Sequence, residues 1–363
     1  MNHVRPSRVR LEATSVCQLR CPDCPTASGA TKPVLKTGYL GLNSFRALVD
    51  RNPHVIHVEL SNYGELFLNP ELAGIMEYAF RRGVQLTADN GANLNTVREE
   101  VLEALVKYRF RRITCSIDGA SAETYARYRV RGDFGVVIEN IRTINRYKHQ
   151  YGSRYPILNW QFIVFPHNRH EVAAARSLAG ELDMGFTEKL PWQDDAPPAE
   201  ATDPPGLAEE PASRGAYLER YGNIYKQEIC RQLWRMPQVN WDGRMLGCCR
   251  NFWGEFGGNV FEDGLEQAAN SERMQYARDM LMGQRPPRAD IPCTTCDLYL
   301  ERKRRGLWVT SHERALPASV LDYLIRHRIH NRMMVGLAAA ATRAAEAAYF
   351  GFARVRRALR SRG

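Results

Sequence analysis

Cys17, Cys21 and Cys24 stand within one short run, Cys17-Gln-Leu-Arg-Cys21-Pro-Asp-Cys24. Three thiolates can hold three corners of a cubane iron–sulfur cluster, and the run supplies no fourth. A ferredoxin-type [4Fe–4S] cluster closes every corner with cysteine, so a three-cysteine run leaves one iron open to another ligand. An open iron beside a bound small molecule does chemistry, whereas a closed cluster stores electrons or braces a fold. A zinc knuckle is the competing reading, because Cys-x2-Cys pairs also serve zinc.

The chain has nine cysteines. Cys115 falls in an apolar run and reads as a small buried hydrophobe. Cys230, one of the adjacent Cys248 and Cys249, and the pair Cys293-Thr-Thr-Cys296 make a full set for a second, closed cluster. The same four thiols would also make a structural zinc site. Spacing does not choose between Cys248 and Cys249.

Elements that could position these residues alternate through the first 190 positions. Strands are expected at Arg8–Ala13, Val55–Ser61, Val84–Asp89, Arg112–Ile117, Ile157–Val164 and Gly185–Leu190. Helical patterns run over Leu42–Asp50, Glu71–Arg82, Thr96–Tyr108, Phe134–Tyr147 and His170–Leu182. Alternating strand and helix predicts an α/β fold with a parallel sheet and helices outside it. Each strand also alternates apolar and polar residues, as in Ile56, Val58 and Leu60 against His57, Glu59 and Ser61. In a barrel the apolar set packs on the helices and the polar set lines the lumen. An antiparallel sheet with one wet face is the weaker alternative, given the intervening helices. Farther on, Val239–Leu246 reads as a hairpin turning at Asp242-Gly243, with a helical stretch from Gly264 to Met282.

The net charge of +10 is not spread evenly. From Arg302 to Gly363 there are 14 Lys and Arg against 3 Asp and Glu, which leaves the rest near −1. Nucleic-acid binding by the body of the chain is therefore not supported. Pro191–Gly215, with six prolines and six acidic residues, reads as a tether or a lid. The basic C-terminal part reads as two helices that either pack on protein or lie on an anionic membrane; Arg343 and Glu346 argue against a span. No apolar signal segment precedes Cys17, and thiols in cluster-like spacing suit a reducing cytoplasm. The expected organisation is a barrel over 1–190, a linker over 191–215, an auxiliary-cluster domain over 216–300 and a basic tail over 301–363.

The Cys-x3-Cys-x2-Cys pattern resembles the signature of the radical S-adenosylmethionine (radical SAM) superfamily. The resemblance implies that the open iron chelates AdoMet and that reductive cleavage yields a 5′-deoxyadenosyl radical, which abstracts a substrate hydrogen. Six strand–helix units resemble that family's partial (β/α)6 TIM-like barrel. The later cysteines, hairpin and helix resemble its SPASM/twitch-like extensions, which carry a second [4Fe–4S] cluster; by position in that pattern Cys248 rather than Cys249 is the ligand. Gly64 and Glu65 resemble the "GGE" motif that meets the AdoMet amino group, with Tyr63 in place of the first glycine. Asn90-Gly91 resembles the turn beside the cofactor. Ser116, Asp118 and Arg129 fall where AdoMet ribose, methionine or carboxylate contacts are expected. Asp23 stands where an aromatic residue commonly faces adenine. The resemblance further implies an oxidoreductase fed by an electron donor such as flavodoxin or ferredoxin, with a small-molecule or peptide substrate. A polar lumen, and only sixteen residues before Cys17, favour dehydrogenation of a sugar- or aminocyclitol-like molecule over maturation of a ribosomal peptide. From a different class, a non-catalytic metal-binding module docking to membranes remains open.

Overall fold

The structure is a computed structural model and describes residues 3–191, 211, 213–315 and 341. Six strands run parallel in chain order: β1 (Arg8–Leu11), β2 (His57–Glu59), β3 (Gln85–Ala92), β4 (Arg112–Ser116), β5 (Ile157–Ile163) and β6 (Met184–Lys189). Helices Leu42–Arg51, Leu72–Arg81, Glu99–Lys107, Phe134–Gln150 and Val172–Glu181 connect them. This is the expected α/β partial barrel, with ends shifted by a few residues at most, as helix and strand termini commonly are.

The strand alternation sorts the side chains as the pleat requires. Val9, Leu11, Val58, Leu60, Ile113, Trp160 and Phe162 are all buried in the apolar core. The opposite parity places Arg10, Glu12, Glu59, Ser61, Thr87, Ser116 and Gln161 out of water as well. Many of these inner groups satisfy one another. Glu59 accepts from the Ser61 hydroxyl at 2.5 Å and from the Asp89 amide at 2.8 Å, and it also bonds Thr87.

The hairpin does not stand apart from the barrel. Its first strand, β7 (Gln238–Val239), pairs in parallel with β1, and β8 (Met245–Gly247) then pairs antiparallel with β7. One eight-stranded sheet results, in the order β6-β5-β4-β3-β2-β1-β7-β8. Arg10 fixes the junction by donating to Gln238 at 3.1 Å. The helical stretch beyond the hairpin divides into Leu265–Ala269 and Glu272–Leu281, because Ser271 caps the second helix by accepting from the Met274 amide at 3.4 Å.

Arg302 belongs to the helix Asp297–Arg305 and is buried, not part of a solvated basic tail. Its guanidinium ion-pairs with Glu313 and donates to the Leu307 carbonyl at 2.6 Å and the Gln227 carbonyl at 3.1 Å. The ends of the proline-rich segment meet, with Arg214 donating to the Pro191 carbonyl at 3.0 Å. Most of that segment and nearly all of the chain after 315, including both expected tail helices, lie outside the described residues. Among the described residues, no helix is long and apolar enough to cross a membrane.

Candidate functional site

The three-cysteine loop leaves β1 and folds over the C-terminal ends of the strands, where barrels of this class do their chemistry. Cys21 is buried, and Cys17 and Cys24 are half-buried. Two of the three sulfurs accept from side-chain donors. Asn93 donates to Cys17 at 3.8 Å, and Arg129 donates to Cys21 at 3.7 Å. The Cys24 amide closes a turn on the Cys21 carbonyl at 3.1 Å. Burial, then nearby Glu65 and the other two cysteines, push the Cys17 thiol up to about 12. A group that coordinates these sulfurs must displace their protons, as thiolate ligation requires.

The loop after β2 is clamped beneath them. The Glu12 carboxylate accepts from the Tyr63 amide at 3.0 Å and the Gly64 amide at 3.1 Å. A Cβ on Gly64 would lie 1.8 Å from the Thr14 carbonyl oxygen, so no larger residue fits this approach. Glu65 is buried and accepts from the Asn93 amide at 2.7 Å. Burial raises its carboxyl to about 7 against those amide contacts.

Asn90 and Gly91 sit where the β3–β4 register shifts between Ala88 and Ala92. Such a bulge lifts residues out of the ladder and re-aims them. The Asn90 side chain donates to Asn62 at 2.8 Å. Gly91 has φ +123°, and a Cβ there would meet the Ser116 hydroxyl at 2.3 Å. Gln161 of β5 approaches the same spot. Among the described residues, Asn62 Nδ2 and Gln161 Oε1 are buried without a hydrogen-bond partner. Asn62, Asn90, Gly91, Ser116 and Gln161 thus form a polar cradle with bonding capacity to spare, which fits a polar cofactor or substrate.

Asp118 and Arg129 meet, but each is already engaged. Asp118 Oδ2 takes the Arg129 Nε–H at 2.6 Å, and Oδ1 takes the Ile163 amide at 2.7 Å. The pair therefore braces Cys21 from the side. Asp23 is exposed, and Tyr128, which lies in its field, packs on Phe165 with ring centroids 4.4 Å apart.

The second cysteine set comes from three separate stretches of the chain. Cys230 lies in the short helical turn Gln227–Arg231, Cys248 follows β8, Cys293 lies in the turn Pro292–Thr295, and Cys296 begins the helix Asp297–Arg305. Burial raises the Cys293 thiol, which lies in the field of Cys248, Cys230 and Cys296, and burial raises Cys248, which lies in the field of Cys249, Cys296 and Cys230. Cys249 diverges from the set. Its amide donates to Gln232 at 2.7 Å, and its sulfur accepts from the Gln232 side chain at 3.3 Å. Arg10, Tyr63 and Lys189 of the barrel mouth lie in its field, as does Cys248. Cys115 is fully buried in the apolar core, as its sequence context implied. Among the described residues no three His, Cys, Asp or Glu side chains close around a single metal ion. Thiols are the donor type that an iron–sulfur cluster takes, and both sets supply them.

Sequence reading passed over Glu12 as a clamp and Tyr63 as a contact. The Tyr63 ring packs edge-on against Phe252 at 5.7 Å, and Phe252 against Trp253 at 5.3 Å. Trp253 donates to the Pro292 carbonyl at 2.9 Å, beside Cys293. The one available signal was the departure of Tyr63 from the glycine of the resembled motif.

Residues 230–297 match SPASM, an iron–sulfur cluster-binding domain. No curated protein sequence matches the chain. Among solved structures, Streptococcus suis SuiB bound to S-adenosylmethionine is similar at 12% identity and a TM-score of 0.57, over 81% of this chain and 71% of that one. SuiB bound to its precursor peptide SuiA is similar at 11% identity and a TM-score of 0.55, over 81% and 70%. BtrN in complex with AdoMet and 2-DOIA gives 16% identity over 80% and 93%, with a TM-score of only 0.42. The SPASM match implies an iron–sulfur cluster in the C-terminal part of the chain. The chain thus carries a SPASM iron–sulfur cluster-binding domain over residues 230–297, behind a partial barrel whose fold is similar to that of SuiB.

Proposed function

We propose that this chain is a radical SAM enzyme that dehydrogenates a hydroxyl-bearing small molecule of the sugar or aminocyclitol type. The observation that carries the reading is the polar cradle at the strand ends, with Asn62 Nδ2 and Gln161 Oε1 buried and unpartnered among the described residues. A polyol supplies donors and acceptors to such atoms, whereas an apolar side chain would leave them bare. When bound, the catalytic cluster and AdoMet supply a radical that removes a hydrogen atom from carbon, and the auxiliary cluster supplies a sink for one electron.

Cys17, Cys21 and Cys24 are the proposed ligands of the catalytic cluster, and Cys230, Cys248, Cys293 and Cys296 those of a closed auxiliary [4Fe–4S] cluster. Gly64, Glu65, Asn90, Gly91 and Ser116 would border AdoMet, while Asp118 and Arg129 act as a pair that steadies Cys21. The barrel over 1–190, the linker over 191–215 and the cluster domain over 216–300 would divide the work, with β7 joining the first to the last. A low-potential donor such as flavodoxin or ferredoxin would deliver electrons.

Maturation of a ribosomal peptide is the second reading, favoured by the likeness to SuiB in its peptide-bound form. Anaerobic reconstitution and a 5′-deoxyadenosine assay against polyols, aminocyclitols and peptides decides between them. A carbonyl product from a hydroxyl compound supports the first reading. Turnover on peptides alone replaces it with the second.

A further inference from the structure

On β6, Phe186 packs on Trp160 and Phe162, and Glu188 pairs with Arg176 of the helix behind the strand. These residues therefore face outward. The opposite parity faces the lumen, where Thr187 donates to Asn159 at 3.2 Å. Lys189, the last residue of β6, continues that inner row and ends at the catalytic mouth. It lies in the field of Asp118 at the end of β4, Arg10 on β1, Cys249 after β8 and Lys226. Among the described residues nothing accepts a hydrogen bond from the Lys189 ammonium, whereas Arg10, Asp118 and Arg129 are all engaged.

We propose that Lys189 is the base that accepts the substrate hydroxyl proton when the carbinol is oxidised. The inference rests on the dehydrogenase reading above. A secondary alcohol becoming a ketone loses a hydrogen atom from carbon, a proton from oxygen and one electron. The hydrogen atom goes to the deoxyadenosyl group, the electron to an acceptor of the iron–sulfur class, and the O–H bond breaks toward Lys189 Nζ as the C=O bond forms. Burial, then Lys226, lowers the lysine to about 8, with Cys249 and Asp118 opposing. A sizeable neutral fraction then exists near pH 8, which a base requires.

Lys189→Arg discriminates between roles, because arginine keeps the positive charge but cannot take up a proton near neutral pH. With the hydroxyl substrate found by the assay above, Lys189→Arg and Lys189→Met should each lose about a hundredfold or more in carbonyl product. Their 5′-deoxyadenosine formation and substrate Kd should change only a few-fold. In the wild type, product formation should rise with pH through about 8. Independently of turnover, 13C-methyl NMR of the reductively methylated protein, with Lys189→Arg identifying the signal, should give a midpoint well below that of an ordinary lysine. An ordinary midpoint overturns the proposal, as does full product formation by Lys189→Arg, which would make Lys189 an anion clamp. If the wild type oxidises no hydroxyl compound, the dehydrogenase reading itself has failed and this role falls with it.

Discussion

Arg129 grips Asp118 with two guanidinium nitrogens, Nε and one Nη, each 2.6 Å from the same carboxylate oxygen. Its remaining nitrogen lies 3.7 Å from Cys21 Sγ. A helix capped by Ser121, which accepts from the Thr124 amide at 3.2 Å, carries Arg129 to this position. Glu171 ties down the start of that helix through the Ala120 amide and the Ser121 hydroxyl, both at 2.7 Å. The side of the three-cysteine loop is thus held from the far end of β4.

Arg129→Met should destabilise the protein by about 3–5 kcal/mol, because it strands the fully buried Asp118 carboxylate. Arg129→Lys keeps the charge but loses the two-nitrogen grip, and should cost less. Urea unfolding midpoints at constant slope check both. A Met variant as stable as wild type would mean that Asp118 is not ionised in the fold.

Iron content tests the two cysteine sets. Two [4Fe–4S] clusters imply about eight Fe per chain after anaerobic reconstitution. Replacing Cys17, Cys21 and Cys24 with Ala should halve that value and abolish AdoMet cleavage. Cys248→Ser should also lose about half of the iron, whereas Cys249→Ser, whose thiol is bonded to Gln232, should keep all of it. Equal loss from the two serine variants would show that position along the chain, not the divergence of the side chains, governs ligation.

Glu12 gives a pH prediction. Burial raises its folded carboxyl from about 4.5 to about 8, against the Gly64 and Tyr63 amides. The folded state therefore holds the proton more tightly, so this contribution to stability is complete below about 4.5 and is lost as pH rises through about 8. Glu12→Gln stays neutral, so its melting temperature should gain on wild type steadily between pH 5 and 8. Parallel melting curves would mean that the two backbone amides keep Glu12 ionised throughout.

Gly64→Ala should destabilise the protein by about 1–3 kcal/mol or more, since its Cβ would meet backbone rather than a movable side chain. The loss should be larger than for Gly41→Ala, where the structure leaves open space. Thermal melts of the two variants compare the sites directly.

The sequence by itself determined the three-cysteine motif and the barrel. Three cysteines within one loop are a local pattern, and alternation along each strand follows from the pleat, so neither needs distant contacts to be legible. What only the tertiary structure decided are relations between residues far apart in the chain. Cys248 and Cys249 are neighbours of one type, and their separation into the cysteine set and the Gln232 contact depends on residues brought in from other segments. The two-residue β7 carries too little pattern to announce its pairing with β1, which Arg10 and Gln238 secure across 228 positions. Arg302 reads in sequence like its solvated neighbours Lys303 and Arg304, and only packing against Glu313, Gln227 and Leu307 removes it from water. Charge and hydropathy fix what a residue can do in any setting, whereas burial and partners arise when separate elements meet.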